Sequence, residues 1–213
     1  MVALGRVAQF DERSRSFAAP AALPPRTVLW SHLGPILDQR DLGACTGFAT
    51  AQACNTRPTH KPRGRLLDDV DGRKLYSRAT ELDPWPGVWP PTDTGSSGLA
   101  ACKAAVEAGH ITRYEWAFGF DHLLSALQSG PVMVGTNWYD SMFRVNTGGY
   151  VTISGDVVGG HEYLILGCNM RSRYLTALNS WGPAWGLKGR FRIPFDVMRR
   201  LLHEQGDAVQ PIR

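Results

Sequence analysis

Four side chains in this sequence have the types and order that nucleophilic catalysis needs: Gln39, Cys45, His161 and Asn179. Cys45 opens the run CTGFATAQACN, dense in small residues and free of proline, which predicts a helix from Cys45 to about Asn55. The turn-rich stretch Asp38 to Ala44 leads straight into it. A thiol at a helix start faces unpaired N–H groups and the positive end of the helix dipole, and both favour thiolate. His161 follows Gly159-Gly160 and opens an apolar strand, while Asn179 follows another strand and begins Asn179-Ser-Trp181-Gly-Pro-Ala-Trp185-Gly186.

The chemistry asks for this combination. A thiol attacks a carbonyl well only as thiolate, so an imidazole must take its proton and later return it to the leaving amine. The imidazole needs a partner on its second nitrogen, and an amide oxygen serves. Developing negative charge on the attacked carbonyl needs donors. Gln39 lies six residues ahead of Cys45, so a loop can bring its side-chain amide beside the Cys45 backbone N–H.

Two kinds of element must hold these groups. Ser97 is a plausible N-cap for a helix carrying Leu99, Cys102 and Val106 and ending at Gly109, and Asp121 for a short helix ending at Gly130. After Gly130 the texture changes to strand-length apolar runs at 131–136, 149–153, 162–168, 174–178 and 189–193. A helical first half and a strand-rich second half predict an α+β chain of two lobes. Residues 1–22 read as an extended arm and 23–213 as the main domain, with a helical lobe over about 31–110 and a β-rich lobe over about 111–213.

The bulk numbers fit one soluble unit. The 213 residues are 43% hydrophobic and 20% charged, which excludes a disordered chain. The formal charge is +4. The densest basic stretch, Arg57 to Arg65, is broken by prolines and glycine and carries no aromatic residue for base stacking, so no nucleic-acid partner is expected. No apolar run approaches the roughly 18 residues of a membrane span, and Arg6 and Asp11 interrupt the N-terminus before a signal peptide could form. Cys45, Cys54, Cys102 and Cys168 form no CxxC pair, which argues against a zinc site of usual spacing and against a disulfide framework. A reducing, cytoplasmic setting with no metal or organic cofactor is the expectation, and oligomeric state is left open.

These motifs together resemble the papain-like (C1-type) cysteine peptidases, as a disulfide-poor bacterial or phage-type member, over about Leu23 to Ile193. Leu23-Pro24-Pro25 through Trp30 resembles the start of the family's mature domain, and Gln39 its oxyanion-hole glutamine. GGHEYLILG resembles its histidine strand, Gly130-Pro131-Val132 with Phe143 and Gly148-Gly149-Tyr150 the lead-in, and ALNSWGPAWGLKGRFRIP its asparagine stretch. The resemblance implies a helical lobe facing a β-barrel lobe across a cleft, and a polypeptide substrate. It implies that an extended peptide binds along the backbone at Gly95, Ser96 and Ser97, opposite Gly159 and Gly160. Gly135, Asn137 and Gly159 would border the pocket for the side chain two residues before the cleaved bond, and Trp181 would shield the His–Asn contact beside the substrate.

Several residues depart from the family pattern. Thr46 stands where an aromatic is usual, Leu42 where secreted members carry a bonded cysteine, and Glu162 where a small residue follows the histidine. Strand alternation predicts that Glu162 points away from the cleft. The short arm is expected to leave the chain active without processing. Peptide-bond hydrolysis is the leading reading; cell-wall amidase or transpeptidase chemistry, and a catalytically silent scaffold such as a phage-particle component, are the alternatives.

Overall fold

The computed structural model describes residues 3–20 and 24–213. Leu23, and with it the start of the Leu-Pro-Pro motif, lies outside the described residues. The short strand β1 (Val28–Leu29) precedes three helices: α1 (Cys45–Cys54), α2 (Asp69–Leu82) and α3 (Gly98–Glu107). Then come β2 (Arg113–Trp116), α4 (Phe120–Ala126), β3 (Val132–Tyr139), β4 (Val157–Asn169), β5 (Tyr174–Leu178), β6 (Arg190–Pro194), α5 (Phe195–His203) and β7 (Asp207–Ile212).

Every residue of α1 is buried. Its small side chains make that possible: a Cβ on Gly47 would stand 2.5 Å from the Gly72 carbonyl oxygen, so α1 and α2 touch backbone to backbone. The Asp68 and Asp71 side chains form a capping box that starts α2, which buries Leu75, Tyr76 and Ala79. Ser97 caps α3 through its hydroxyl, as its position predicts. The sheet runs in the order β2-β7-β3-β4-β5-β6, all antiparallel, with β1 paired to β4. One core fills the sheet's outer side around Trp138, Tyr163 and Phe191, and a second lies among the helices around Phe48 and Tyr76. A third joins the lobes, where Ala49, Ala53 and Leu99 meet Met133, Leu164 and Val209.

The structure changes some local expectations. Residues 149–153 form no strand, and Tyr150 makes only a single bridge to Arg192. The cap of α4 is Gly119 at φ 82°, with Asp121 in the first turn rather than at the cap. Helices α2 and α5 and strands β2 and β7 were not marked by sequence pattern. α2 has a polar sequence interrupted by Gly72, and β7 contains Pro211. Of the segment read as an extended arm, residues 3–9 lie extended across the cleft, and Glu12–Phe17 form a 3-10 turn.

Candidate active site

Cys45 is the first residue of α1, and its N-cap, Ala44, offers no side-chain oxygen to the free N–H groups of that first turn. The sulfur instead lies at the backbone N–H groups of Thr46 and of Glu162, the residue next to His161. The loop before Cys45 is tied down by Asp93, which accepts from the Gly43 N–H at 2.9 Å and from the Tyr76 hydroxyl. The same Tyr76 oxygen accepts from the Gly95 N–H at 3.0 Å. Asp93 and Tyr76 thus fix the Cys45 loop and the Gly95 edge to each other, a role the sequence did not signal.

His161 sits in β4 opposite Thr136 of β3. Its Nε2–H donates to Asn179 Oδ1 at 2.7 Å. That oxygen also accepts from the Ser180 N–H at 2.8 Å, so the amide can only be oriented this way. The tautomer follows: the proton is on Nε2, and Nδ1 is left buried with a free lone pair and no partner. Trp181 stacks on the imidazole at 4.7 Å and 28°, and Trp138 meets it edge-on at 4.7 Å. Trp181 is therefore a buried ring packed over the histidine.

Gln39 is buried as well. Its Oε1 accepts from the Ser180 hydroxyl at 2.6 Å, and its Nε2 donates to the carbonyls of Leu42 at 2.8 Å and of Ala3 at 3.1 Å. The donor expected to meet a substrate carbonyl thus meets a carbonyl of the chain's own N-terminal segment.

That segment behaves as a bound peptide. Gly5 and Arg6 N–H both donate to the Gly160 carbonyl, at 3.2 and 3.0 Å. Ser96 N–H donates to the Gly5 carbonyl and Val7 N–H to the Ser96 carbonyl, both at 2.8 Å, which makes Arg6 and Ser96 a parallel bridge. The Ser97 hydroxyl donates to the Gln9 side chain at 2.5 Å. The strip at Gly95, Ser96, Ser97, Gly159 and Gly160 thus contacts an extended peptide. Close approach requires glycine here: a Cβ on Gly160 would stand 2.2 Å from the Arg6 carbonyl oxygen, and one on Gly95 2.3 Å from the Gly5 oxygen. Gly159 lies under Leu4. Asn137 is not in this set, because its side chain donates to the Glu204 carbonyl at 3.0 Å.

Glu162 reverses its expectation. The carboxylate does not leave the cleft region; it is fully buried beside Gly98 of α3 and Gly135 of β3, in a pocket with Arg6 and Asp207. Alternation does put it on the face of β4 opposite His161, but α3 and the N-terminal segment cover that face too.

Burial sets the protonation states. The Cys45 thiol is pushed up to about 12, by burial first and then by the Glu162 charge. The His161 imidazole is pushed down to about 4 by burial, against the Asn179 hydrogen bond. With the segment seated, the site holds neutral thiol and neutral imidazole, and both residues are wholly shielded from solvent. Among the described residues no cluster of three or more His, Cys, Asp or Glu is placed to hold a metal ion.

Comparison with known proteins gives the same outline. The model for the papain family of cysteine proteases matches residues 95–205, just over half the chain. Cathepsin B-like cysteine proteinase 5 of Caenorhabditis elegans is 29% identical over 84% of this chain, which spans 61% of that relative's length. Among solved structures, the chain is similar to xylellain, a cysteine protease from Xylella fastidiosa, with TM-score 0.77 and 19% identity, covering 100% of this chain and 97% of that one. It is also similar to bromelain of Ananas comosus in complex with the E64 inhibitor, with TM-score 0.58 and 17% identity, covering 84% and 94%. At these identities the solved structures speak for the two-lobed fold.

Proposed function

Because the chain belongs to the papain family of cysteine proteases, we propose that it is a cysteine endopeptidase with Cys45 as nucleophile, His161 as base, Asn179 as the group orienting that base and Gln39 as an oxyanion donor. In this reading the Cys45 proton moves to His161 Nδ1, and the sulfur attacks the scissile carbonyl. Gln39 Nε2 and the Cys45 backbone N–H receive the negative oxygen. The intermediate collapses to a thioester as the departing amine takes the proton from Nδ1. Water, deprotonated by the same nitrogen, then hydrolyses the thioester and frees the thiol.

The observation that carries this reading is the extended segment Ala3–Val7, which lies on the strip expected for substrate with a carbonyl on Gln39. A polypeptide meets this strip chiefly through main-chain hydrogen bonds. The same observation weighs against the expectation that the chain turns over substrate with its arm in place. The test is fluorogenic-peptide and casein hydrolysis before and after removal of residues 1–9, with Cys45→Ala as control. Turnover that appears on removal and vanishes in the control supports the reading. Release of peptidoglycan fragments with no peptide hydrolysis would replace it with the wall-amidase alternative.

A further inference from the structure

A row of polar side chains on α2 holds the loop that carries the peptide-binding edge. Thr80 Oγ1 accepts from the Trp89 N–H at 3.0 Å, and Asp83, at the end of α2, accepts from the Ser96 hydroxyl at 2.6 Å. Tyr76, one turn before Thr80, joins this loop to a second one. A carboxylate only accepts, so the Tyr76 O–H donates to Asp93 Oδ1, and the Tyr76 oxygen keeps a lone pair for the Gly95 N–H at 3.0 Å. Asp93 Oδ2 accepts from the Gly43 N–H at 2.9 Å. Gly43 ends the loop that Gln39 opens: Gln39 Nε2 donates to the Leu42 carbonyl at 2.8 Å, and the Ala44 N–H to the same carbonyl at 2.7 Å.

We propose that Asp93 is a positioning residue for peptide cleavage, which sets the two oxyanion donors, Gln39 Nε2 and the Cys45 N–H, against the substrate edge at Gly95. This role rests on the peptidase reading. Among the described residues Asp93 enters no ion pair, so its two oxygens serve the two loops alone. No covalent link joins these loops, since all four cysteines are free. The anchor is stiff: Tyr76 is wholly buried, and a Cβ on Gly47 of α1 would stand 2.5 Å from the Tyr76 nitrogen. α1 begins at Cys45, so the tyrosine that holds Gly95 also packs on the helix that carries the nucleophile. Reaction needs sulfur, donors and bound peptide aligned together, so a small error in their spacing is felt steeply in the rate. Asp93 itself is exposed, so removing its carboxyl leaves no hole in the core.

The test takes the full chain carrying Arg6→Glu as parent, in which a third carboxylate beside Glu162 and Asp207 expels the N-terminal segment. In it, Asp93→Ala should lower kcat for a fluorogenic peptide on the order of 100-fold. Alkylation of Cys45 by iodoacetamide uses neither donor nor edge and should stay within about twofold. Tyr76→Phe frees Gly95 but leaves Gly43 held, so KM should rise about 10-fold with kcat little changed. Asp93→Asn keeps an acceptor for Gly43 and should return kcat to within about 10-fold of the parent. Asn55→Ala is the control for plain loss of stability: it cuts two 2.8 Å bonds to Leu67 at the far end of α1, and should lower the melting temperature but leave kcat unchanged. An Asp93→Ala chain as fast as its parent overturns the positioning role and leaves the peptidase standing. Equal losses in Asp93→Ala and Asn55→Ala, with alkylation slowed alike, also overturn it, because they mark a loosened lobe. A parent whose Cys45 is alkylated but which hydrolyses no peptide overturns the peptidase reading, and this role with it.

Discussion

The side-chain amide of Gln39 donates to the backbone carbonyl of Ala3 at 3.1 Å, so the oxyanion donor is already engaged by the chain itself. This contact joins two features of the site. The segment with Ala3 at Gln39 also places Arg6 against Asp207 and lies against Gly43, two residues before Cys45, so one peptide occupies the donor and the pocket beside the nucleophile together.

Replacing Gln39 by alanine separates its two roles. With residues 1–9 removed, Gln39→Ala should lower kcat by about 100-fold to 1,000-fold while KM changes little, because the amide acts on charge that develops only in the transition state. In the intact chain the same change removes a tether of the segment, so the background rate should rise relative to the unblocked rate. Steady-state kinetics on both forms check this; an unchanged kcat in the unblocked form would remove Gln39 from the site.

Asn179 holds one tautomer and one ring orientation of His161 through a single 2.7 Å bond. Asn179→Ala should reduce kcat on the order of 100-fold. Trp181 still covers the ring at 4.7 Å, so the fold should persist. Circular dichroism and kinetics on the same preparation distinguish loss of orientation from loss of structure.

The pH dependence of the closed form follows from His161, which titrates ordinarily near 6.5 and is pushed down to about 4. Above pH 6.5 the imidazole is neutral whether the chain is folded or not, and its contribution to stability is complete. As pH falls from 6.5 through 4, the unfolded chain takes a proton that the folded one refuses, and stability is lost, on the order of 3 kcal/mol at full development. The nearby carboxyls Glu162 and Asp207 are raised and act in the opposite sense, so the His161 part is read by difference. Between pH 6.5 and 4, wild type should lose melting temperature relative to His161→Gln; parallel curves would contradict the buried neutral imidazole.

What was legible in the sequence is what local chemistry encodes. The run from Cys45 predicted a helix because its residues are small, and that helix is buried on every side for the same reason. The strand at 174–178 was bounded by its own apolar run. Asp207 was not legible: it reaches the pocket through β7, whose pairing with Gly135 is set by the register of distant strands. Glu162 was misread for a related reason. Alternation gave its side of β4 correctly, but only tertiary packing shows that the side away from His161 is also occupied. A charged residue inside the apolar run EYLILG was the signal available, since a buried strand tolerates a carboxylate only where a cation can meet it. Arg6 carried no local signal.

The most direct measurement is adduct mapping with a thiol-directed epoxide at about pH 6, on the intact chain and on the chain lacking residues 1–9. Burial pushes the thiols of Cys54, Cys102 and Cys168 up as well, so none of these three is reactive at that pH. Removing the segment opens the site to water and lets the Cys45 proton pass to His161. The account predicts rapid labelling of Cys45 alone in the shortened chain and slow labelling in the intact one. Slow, equal labelling of all four cysteines in both forms would contradict it.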